Sequence, residues 1–328
     1  MTSVASGRRH ERWPEHADLR AARDVVATML APTPVIEAPA IGAGAKLKLE
    51  TVQPTGSFKV RGALAALRRV TPGASVVTAS SGNHALGVAW AAQRLGLSAT
   101  IVVPTNASPA KLAALHALGA EVERVGGSFD EAEAHALALA DADADADAGS
   151  EYLSAYDDTH VIAGQATVGA ELEALEGRIT VVCPVGGGGL LSGLCLWARD
   201  KPGVRLVGVE AEASQAVSAA VRAGRVVDVE IGPTLADGMA GGIETNAITW
   251  QIVRDRVDDL VTVTEDEIEA AIRHMVVEHG IVAEGAGAAA TASVLAGRVA
   301  TPGPRVALVT GRNIAAGALA AVLGRGGG

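Results

Sequence analysis

Short valine-rich apolar runs alternate along this chain with longer stretches in which alanine and leucine recur at helical spacing. The short runs predict strands at Lys46–Glu50, Ser75–Ala79, Thr100–Val103, Glu121–Val125, Thr180–Pro184, Arg205–Val209, Leu260–Val263 and Val306–Thr310. Helices are expected to fill most of the intervals, among them Asn83–Leu95, Pro109–Leu118, Phe129–Ala140, Gly189–Ala198, Glu265–Glu278 and Ala286–Leu295. This alternation predicts an α/β fold with buried parallel strands flanked by helices.

One segment departs from the pattern. Asp141 to Gly149 is an aspartate–alanine repeat. Acidic residues are unfavourable at a helix C-terminus, so the preceding helix is expected to fray there into a solvated loop. The repeat also marks the edge of a smaller lobe, and a chain of 328 residues can bury a large core in two domains. Few residues are aromatic, so that core rests on alanine, valine and leucine, and the 39 glycines imply tight turns and close backbone approaches.

A net charge of −10, with no long block of lysine or arginine, argues against a nucleic-acid or acidic-membrane partner. The two cysteines, Cys183 and Cys195, form no CxxC pair and no histidine clusters with them. No zinc site is indicated, and a reducing cytoplasm is expected. Met1 to His16 is polar, and its Arg8-Arg9 pair is followed by charge rather than by an apolar stretch, which argues against an export signal. Elsewhere the apolar segments are too short and too interrupted to span a membrane.

Candidate chemistry starts at Lys59, in the run Pro54-Thr55-Gly56-Ser57-Phe58-Lys59-Val60-Arg61-Gly62. Proline, glycine and serine are turn and helix-start residues, so the lysine is expected near a helix N-terminus. There the positive end of the macrodipole and partial desolvation both disfavour the ammonium form. The result is a candidate amine nucleophile able to form a Schiff base, set against the plainer reading of a solvated lysine.

Three more junctions stand where a strand gives way to a turn. Ser80-Ser81-Gly82-Asn83-His84 opens a helix, and its unpaired amides suit a carboxylate. Ser81 can shuttle a proton if it lies on the reacting face, while His84 reads as a structural histidine or a base. Gly186, Gly187, Gly188 and Gly189 let the backbone approach a phosphate closely, although neither a Walker loop nor a dinucleotide fingerprint is present. Thr310 emerges from the last strand where open α/β sheets bind ligands, and its hydroxyl can bond a ring nitrogen without giving it a full proton. Glu210 reads as a metal ligand or a paired carboxylate. Glu284, Asp237 and Tyr156-Asp157-Asp158 are further polar groups to which spacing assigns no role. An amine nucleophile, a phosphate cradle, a carboxylate-binding turn and a hydroxyl for a ring nitrogen are together what pyridoxal phosphate bound to an amino acid requires.

The ordered set of motifs resembles the threonine/serine dehydratase and serine racemase group of pyridoxal-phosphate enzymes, the tryptophan-synthase β-like fold (fold type II). The resemblance runs from about Thr33 to Asn313. It is carried by Lys48-Leu49-Glu50, the Lys59 run through Ala63, Ser80 to His84, Tyr156-Asp157-Asp158, Gly164-Gln165, Gly186 to Leu190, Gly208-Val209-Glu210, Leu235-Ala236-Asp237-Gly238 and Thr310-Gly311-Arg312-Asn313. It implies a two-lobed molecule, with residues 1–66 and 151–328 as the large cofactor-binding domain and 67–150 as the small substrate-side domain.

It further implies that Lys59 bonds the cofactor's aldehyde and that Asn83 contacts its ring hydroxyl. Gly186 to Gly189 would hold the phosphate, and Thr310 would face the pyridine nitrogen. The turn formed by Ser81, Gly82, Asn83 and His84 would take the substrate carboxylate. Ser81 matches the opposite-face acid/base of racemases. Three departures stand out. Arg312 adds a charge where the family carries glycine. Ser214 and Ala216 stand where further ligands would join Glu210, leaving a divalent cation such as magnesium in doubt. The chain ends soon after the catalytic domain, so isoleucine feedback is not expected.

The expected function is an ammonia-lyase acting on a β-hydroxy amino acid such as threonine or serine, in a cytoplasmic homodimer. Within the same chemistry the alternatives are a racemase, or a dehydratase for 3-hydroxyaspartate or a hydroxyectoine-catabolism intermediate. A catalytically silent ligand-binding protein on the same fold is the alternative from another class.

Overall fold

The structure, a computed structural model, describes residues 12–71, 73–142, 149–301 and 303–325. Among the described residues ten strands form two sheets: β1 (Val35–Glu37), β2 (Ala45–Leu49), β3 (Ser75–Ala79), β4 (Ser98–Val103), β5 (Glu121–Arg124), β6 (Ser150–Tyr152), β7 (Ile179–Pro184), β8 (Val204–Ala211), β9 (Asp259–Val263) and β10 (Arg305–Val309). The larger sheet has the order β1-β2-β10-β7-β8-β9, and the smaller has β5-β4-β3-β6. All pairings are parallel except the antiparallel edge pair β1–β2. The chain is thus the α/β fold with parallel sheets and flanking helices that the alternation predicted.

Burial follows position in the sheet. β7 lies between β10 and β8, and each of its six residues is buried. Helices cover both of its faces, so no solvated side selects polar residues. β5, at the edge of the small sheet, has no buried residue and alternates charge with valine. The eight predicted strands are all present, with ends shifted by no more than two residues. β1 and β6 were not predicted, because three residues are too few to show a period. Residues 143–148 of the aspartate–alanine repeat lie outside the described residues, as do residues 1–11; the helix before the repeat continues to Ala142.

The helix Thr159–Ala170 packs against both Lys59–Leu67 and Gly189–Ala198. Small residues let them close up. A Cβ on Gly164 would fall 2.6 Å from the Cα of Gly62, and one on Gly193 would fall 2.6 Å from the backbone nitrogen of Ala166. Every residue of Thr159–Ala170 except His160 is buried, so the helix lacks the polar stripe by which sequence reveals a surface helix. Among the described residues no helix is long and apolar enough to cross a membrane.

Candidate active site

β2 leads through the turn Glu50–Val52 into the loop that carries Lys59. That loop is tied to the residues after β10: Phe58 donates its N–H to the Thr310 carbonyl at 3.1 Å, and Arg312 donates to the Gly56 carbonyl at 2.9 Å. Gly56 has φ +74°, a conformation that favours glycine. Lys59 is the first residue of helix Lys59–Leu67, and its Nζ donates to the Ala155 carbonyl at 2.7 Å. The side chain is partly buried, and desolvation of the ammonium lowers its pKa from 10.5 to about 8. At pH 7 roughly a tenth of such an amine is neutral, against less than about a thousandth of an ordinary lysine.

The carbonyl that holds Lys59 connects it to the glycine turn. The next residue, Tyr156, lies against that turn: a Cβ on Gly187 would fall 2.4 Å from the tyrosine ring, and one on Gly189 would fall 2.8 Å from the Tyr156 carbonyl. Gly188 sits at φ +85° as the cap of helix Gly189–Ala198, and no side chain caps that helix. Its first-turn amides therefore remain available. The buried hydroxyl of Thr249, beside Gly188, also lacks a hydrogen-bond partner.

Ser80 to His84 follow β3, and helix Asn83–Leu95 likewise begins without a side-chain cap. A Cβ on Gly82 would meet nothing within 4 Å, so this turn opens on free space. Ser81 is half-buried beside it. The side chain of His84 turns inward, with Nε2 3.3 Å from the Leu153 carbonyl. Burial and then the Lys59 charge push its pKa down to about 3, so the imidazole is neutral at physiological pH and contributes structure rather than proton transfer.

Asn83 reaches across to the large sheet. Its Nδ2 donates to Glu284 at 2.6 Å, and its Oδ1 accepts from Asn313 Nδ2 at 2.6 Å. Glu284 is buried, and burial, with a smaller contribution from the Asp237 carboxylate, raises its pKa to about 7. Because this carboxyl holds its proton more tightly folded than unfolded, its contribution to stability is intact below about pH 4.5 and is lost as the pH rises towards 7. Glu284→Gln is therefore expected to stabilise the cofactor-free protein at pH 8 by up to about 3 kcal/mol, and far less at pH 5. Urea midpoints at the two pH values measure the difference, and equal shifts at both would refute it.

Thr310 directly follows β10 and is buried, its hydroxyl 3.5 Å from the Ala286 carbonyl at the start of helix Gly285–Leu295. Arg312 donates to the Thr51 carbonyl. Glu210 is not brought to this group. Its carboxylate accepts from the Val217 N–H at 3.0 Å, the Ser218 N–H at 3.1 Å and the Ser218 hydroxyl, at the start of helix Ala216–Ala223. Among the described residues no group of three or more His, Cys, Asp or Glu side chains is arranged to hold a metal ion.

The profile of a family described as pyridoxal-phosphate dependent enzymes matches residues 26–311. This chain belongs to that family. The enzyme is 41% identical over 286 residues to an L-threonine ammonia-lyase of Thermotoga maritima, a match covering 85% of this chain and 70% of the relative. It superposes on maize serine racemase with TM-score 0.86 at 27% identity, covering 96% of this chain and 98% of that one. On the processed form of threonine deaminase isoform 2 from Solanum lycopersicum the TM-score is 0.83 at 31% identity, covering 98% of this chain and 93% of that one.

The residues of this pyridoxal-phosphate enzyme fit its cofactor on three features. They are a desolvated amine, an uncapped helix start built from glycine, and the orphaned Thr249 hydroxyl beside it. Sequence reasoning left Tyr156 and Glu284 without a role and did not single out Thr249. No periodic signal marks them, because each acts through a contact with a distant segment.

Proposed function

We propose that this enzyme is an ammonia-lyase that converts a β-hydroxy amino acid, L-threonine or L-serine, into a 2-oxo acid and ammonia. The observation that carries the reading is the Lys59 amine, desolvated and held on the Ala155 carbonyl, one residue from the tyrosine that backs the tetraglycine turn. The likeness to an L-threonine ammonia-lyase supports the substrate class.

Pyridoxal phosphate, when bound, would supply an aldehyde reactive towards amines and a ring able to take up negative charge from Cα. Gly186 to Gly189 would hold its phosphate through backbone amides, Asn83 would meet its ring hydroxyl and Thr310 its ring nitrogen. Ser81, Gly82, Asn83 and His84 bind the substrate carboxylate through the first turn of the helix, where backbone N–H groups and the dipole favour an anion. Lys59 would take the Cα proton; its lowered pKa suits it as a base near neutral pH. The β-hydroxyl departs as water with the proton that Lys59 has taken up, which returns the lysine to its neutral amine. The released enamine tautomerises to an imine, and water hydrolyses this to the 2-oxo acid and ammonia.

The reading places the reaction between a large lobe, 1–66 with 151–328, and a small lobe, 67–150, in a cytoplasmic homodimer. The two buried free cysteines are in keeping with a reducing compartment. Ser81 favours a second activity, inversion at Cα, in which its hydroxyl serves the face opposite Lys59; the likeness to maize serine racemase supports it.

The test is a panel of threonine, serine and 3-hydroxyaspartate in both configurations, assayed for 2-oxo acid and for inversion, with and without magnesium. Formation of 2-oxobutanoate from L-threonine is the expected result, and its absence across the panel would end the lyase reading. The magnesium arms measure whether Glu210 also serves a cation. In Ser81→Ala, inversion and turnover of D-substrates are expected to fall by about 10²-fold or more, with L-elimination largely retained. Equal losses would remove Ser81 from the opposite face.

A further inference from the structure

Asn83 has two N–H donors and a carbonyl oxygen with two acceptor positions. Its neighbours settle which way the amide points. Asn313 Nδ2 donates both to the Thr55 carbonyl at 2.9 Å and to Asn83 Oδ1 at 2.6 Å. Turning Asn313 over would set its own oxygen against the Thr55 carbonyl, so Asn313 is locked as the donor and Asn83 Oδ1 as the acceptor. On the other side Glu284 Oε1 accepts from Asn83 Nδ2. One N–H of Asn83 remains for a ligand, and its donor strength depends on the carboxyl holding the other N–H.

Glu284 is built into this position. It stands at the N-terminus of helix Gly285–Leu295 yet makes no side-chain cap to it, and its carboxyl is directed at Asn83 instead. Its own N–H donates to the Gly311 carbonyl at 3.1 Å, and a Cβ on Gly311 would fall 2.2 Å from Oε1, so the glycine leaves the space that the carboxyl fills. The charged groups that reach it are Asp237, in the turn Asp237–Met239, and Lys111, on helix Pro109–Ala117, which stand 3.9 Å apart.

We propose that Glu284 is a positioning residue that acts through Asn83, presenting a single N–H to the oxygen on the cofactor ring and setting by its own charge whether that oxygen carries a negative charge. The inference rests on the cofactor reading above. With Glu284 neutral, a ring oxyanion beside Asn83 is unopposed. With Glu284 ionised, two negative charges share one asparagine, and the ring oxygen is driven towards its protonated form. The proton affinity of Glu284, raised to about 7, places this change within the physiological range.

The experiment uses the holoenzyme reconstituted with pyridoxal phosphate. The visible band and the cofactor dissociation constant are recorded between about pH 6 and 8.5 for wild type, Glu284→Gln, Glu284→Asp and Asn83→Ala. The wild-type band is expected to lose about half its intensity or more with a midpoint near 7, and cofactor affinity should fall over the same interval. Glu284→Gln, of the same shape but without a titrating proton, should show no transition, and Asn83→Ala should lose it as well. A flat wild-type profile, an unchanged transition in Glu284→Gln, or one that survives in Asn83→Ala would overturn the inference. Should Glu284→Gln fail to fold, Glu284→Asp decides, because a shortened carboxyl must move the midpoint; an unmoved midpoint is a refutation. A wild-type protein that develops no visible band with pyridoxal phosphate removes the cofactor reading itself, which separates the two failures.

Discussion

Replacing Lys59 with alanine is expected to abolish the visible absorption of the protein mixed with pyridoxal phosphate and to lower ammonia release by at least about 10³-fold, since covalent attachment and the Cα base are lost together. The same position should behave in the opposite sense in stability. Lys59 has a folded pKa below its unfolded value, so its charge opposes folding at neutral pH, and that penalty fades as the pH rises from about 8 to 10.5. Lys59→Met keeps the apolar stem without the ammonium. It should therefore stabilise the cofactor-free protein at pH 7 by up to about 3 kcal/mol, less whatever solvent at the partly exposed side chain screens, and by little above pH 10.5. Activity and urea midpoints together separate this from a surface lysine, which would lose neither activity nor a penalty. Retained turnover in either variant would remove Lys59 from the chemistry.

The strands were legible because a central parallel strand must be apolar on both faces, and runs such as Ile179–Pro184 have no other reason to carry so much valine. The turns Ser80–His84 and Gly186–Gly189 were legible because glycine and small polar residues at a strand-to-helix junction have few purposes. What sequence could not supply was the third dimension of the site. Lys59 meets Ala155 across 96 positions and Asn83 meets Glu284 across 201, and no local pattern encodes either contact. Arg312 shows the converse: its place in the motif put a charge at the site, while the structure directs the guanidinium to the Thr51 carbonyl. Glu210 has the identity of a metal ligand, yet its carboxylate is engaged by the start of a helix whose position no sequence pattern announced.

The second large effect is expected at Arg61, two residues beyond Lys59. Its guanidinium is fully buried and bonds both oxygens of Glu50, at 2.7 and 2.9 Å, and both oxygens of Glu171, at 2.6 and 2.9 Å. Lys48, also fully buried, donates to Glu171 at 2.6 Å and to the Thr33 carbonyl at 2.7 Å. Two cations and two carboxylates thus neutralise one another inside the protein, joining β2, the turn after it, the Lys59 helix and the end of helix Thr159–Ala170. Burial alone would raise the Glu171 carboxyl, but Arg61 and Lys48 more than reverse this and hold it below its ordinary range.

Removing the guanidinium leaves Glu50 and Glu171 buried against one lysine. Arg61→Ala should therefore cost roughly 3–5 kcal/mol, and Arg61→Lys should recover little of it, because a single ammonium cannot serve two carboxylates bidentately. The loss should be largest above about pH 5 and shrink as Glu171 protonates below its unfolded value near 4.5, since the favourable contribution exists only while that carboxylate is charged. Urea denaturation of the two variants between about pH 4 and 8 reads this directly. Because the Lys59 helix is anchored at Arg61, the fraction of Arg61→Ala that stays folded should also show a Lys59 titration displaced towards that of a solvated lysine. A cost below about 1 kcal/mol, independent of pH, would mean that these buried charges do not hold the helix that begins at Lys59.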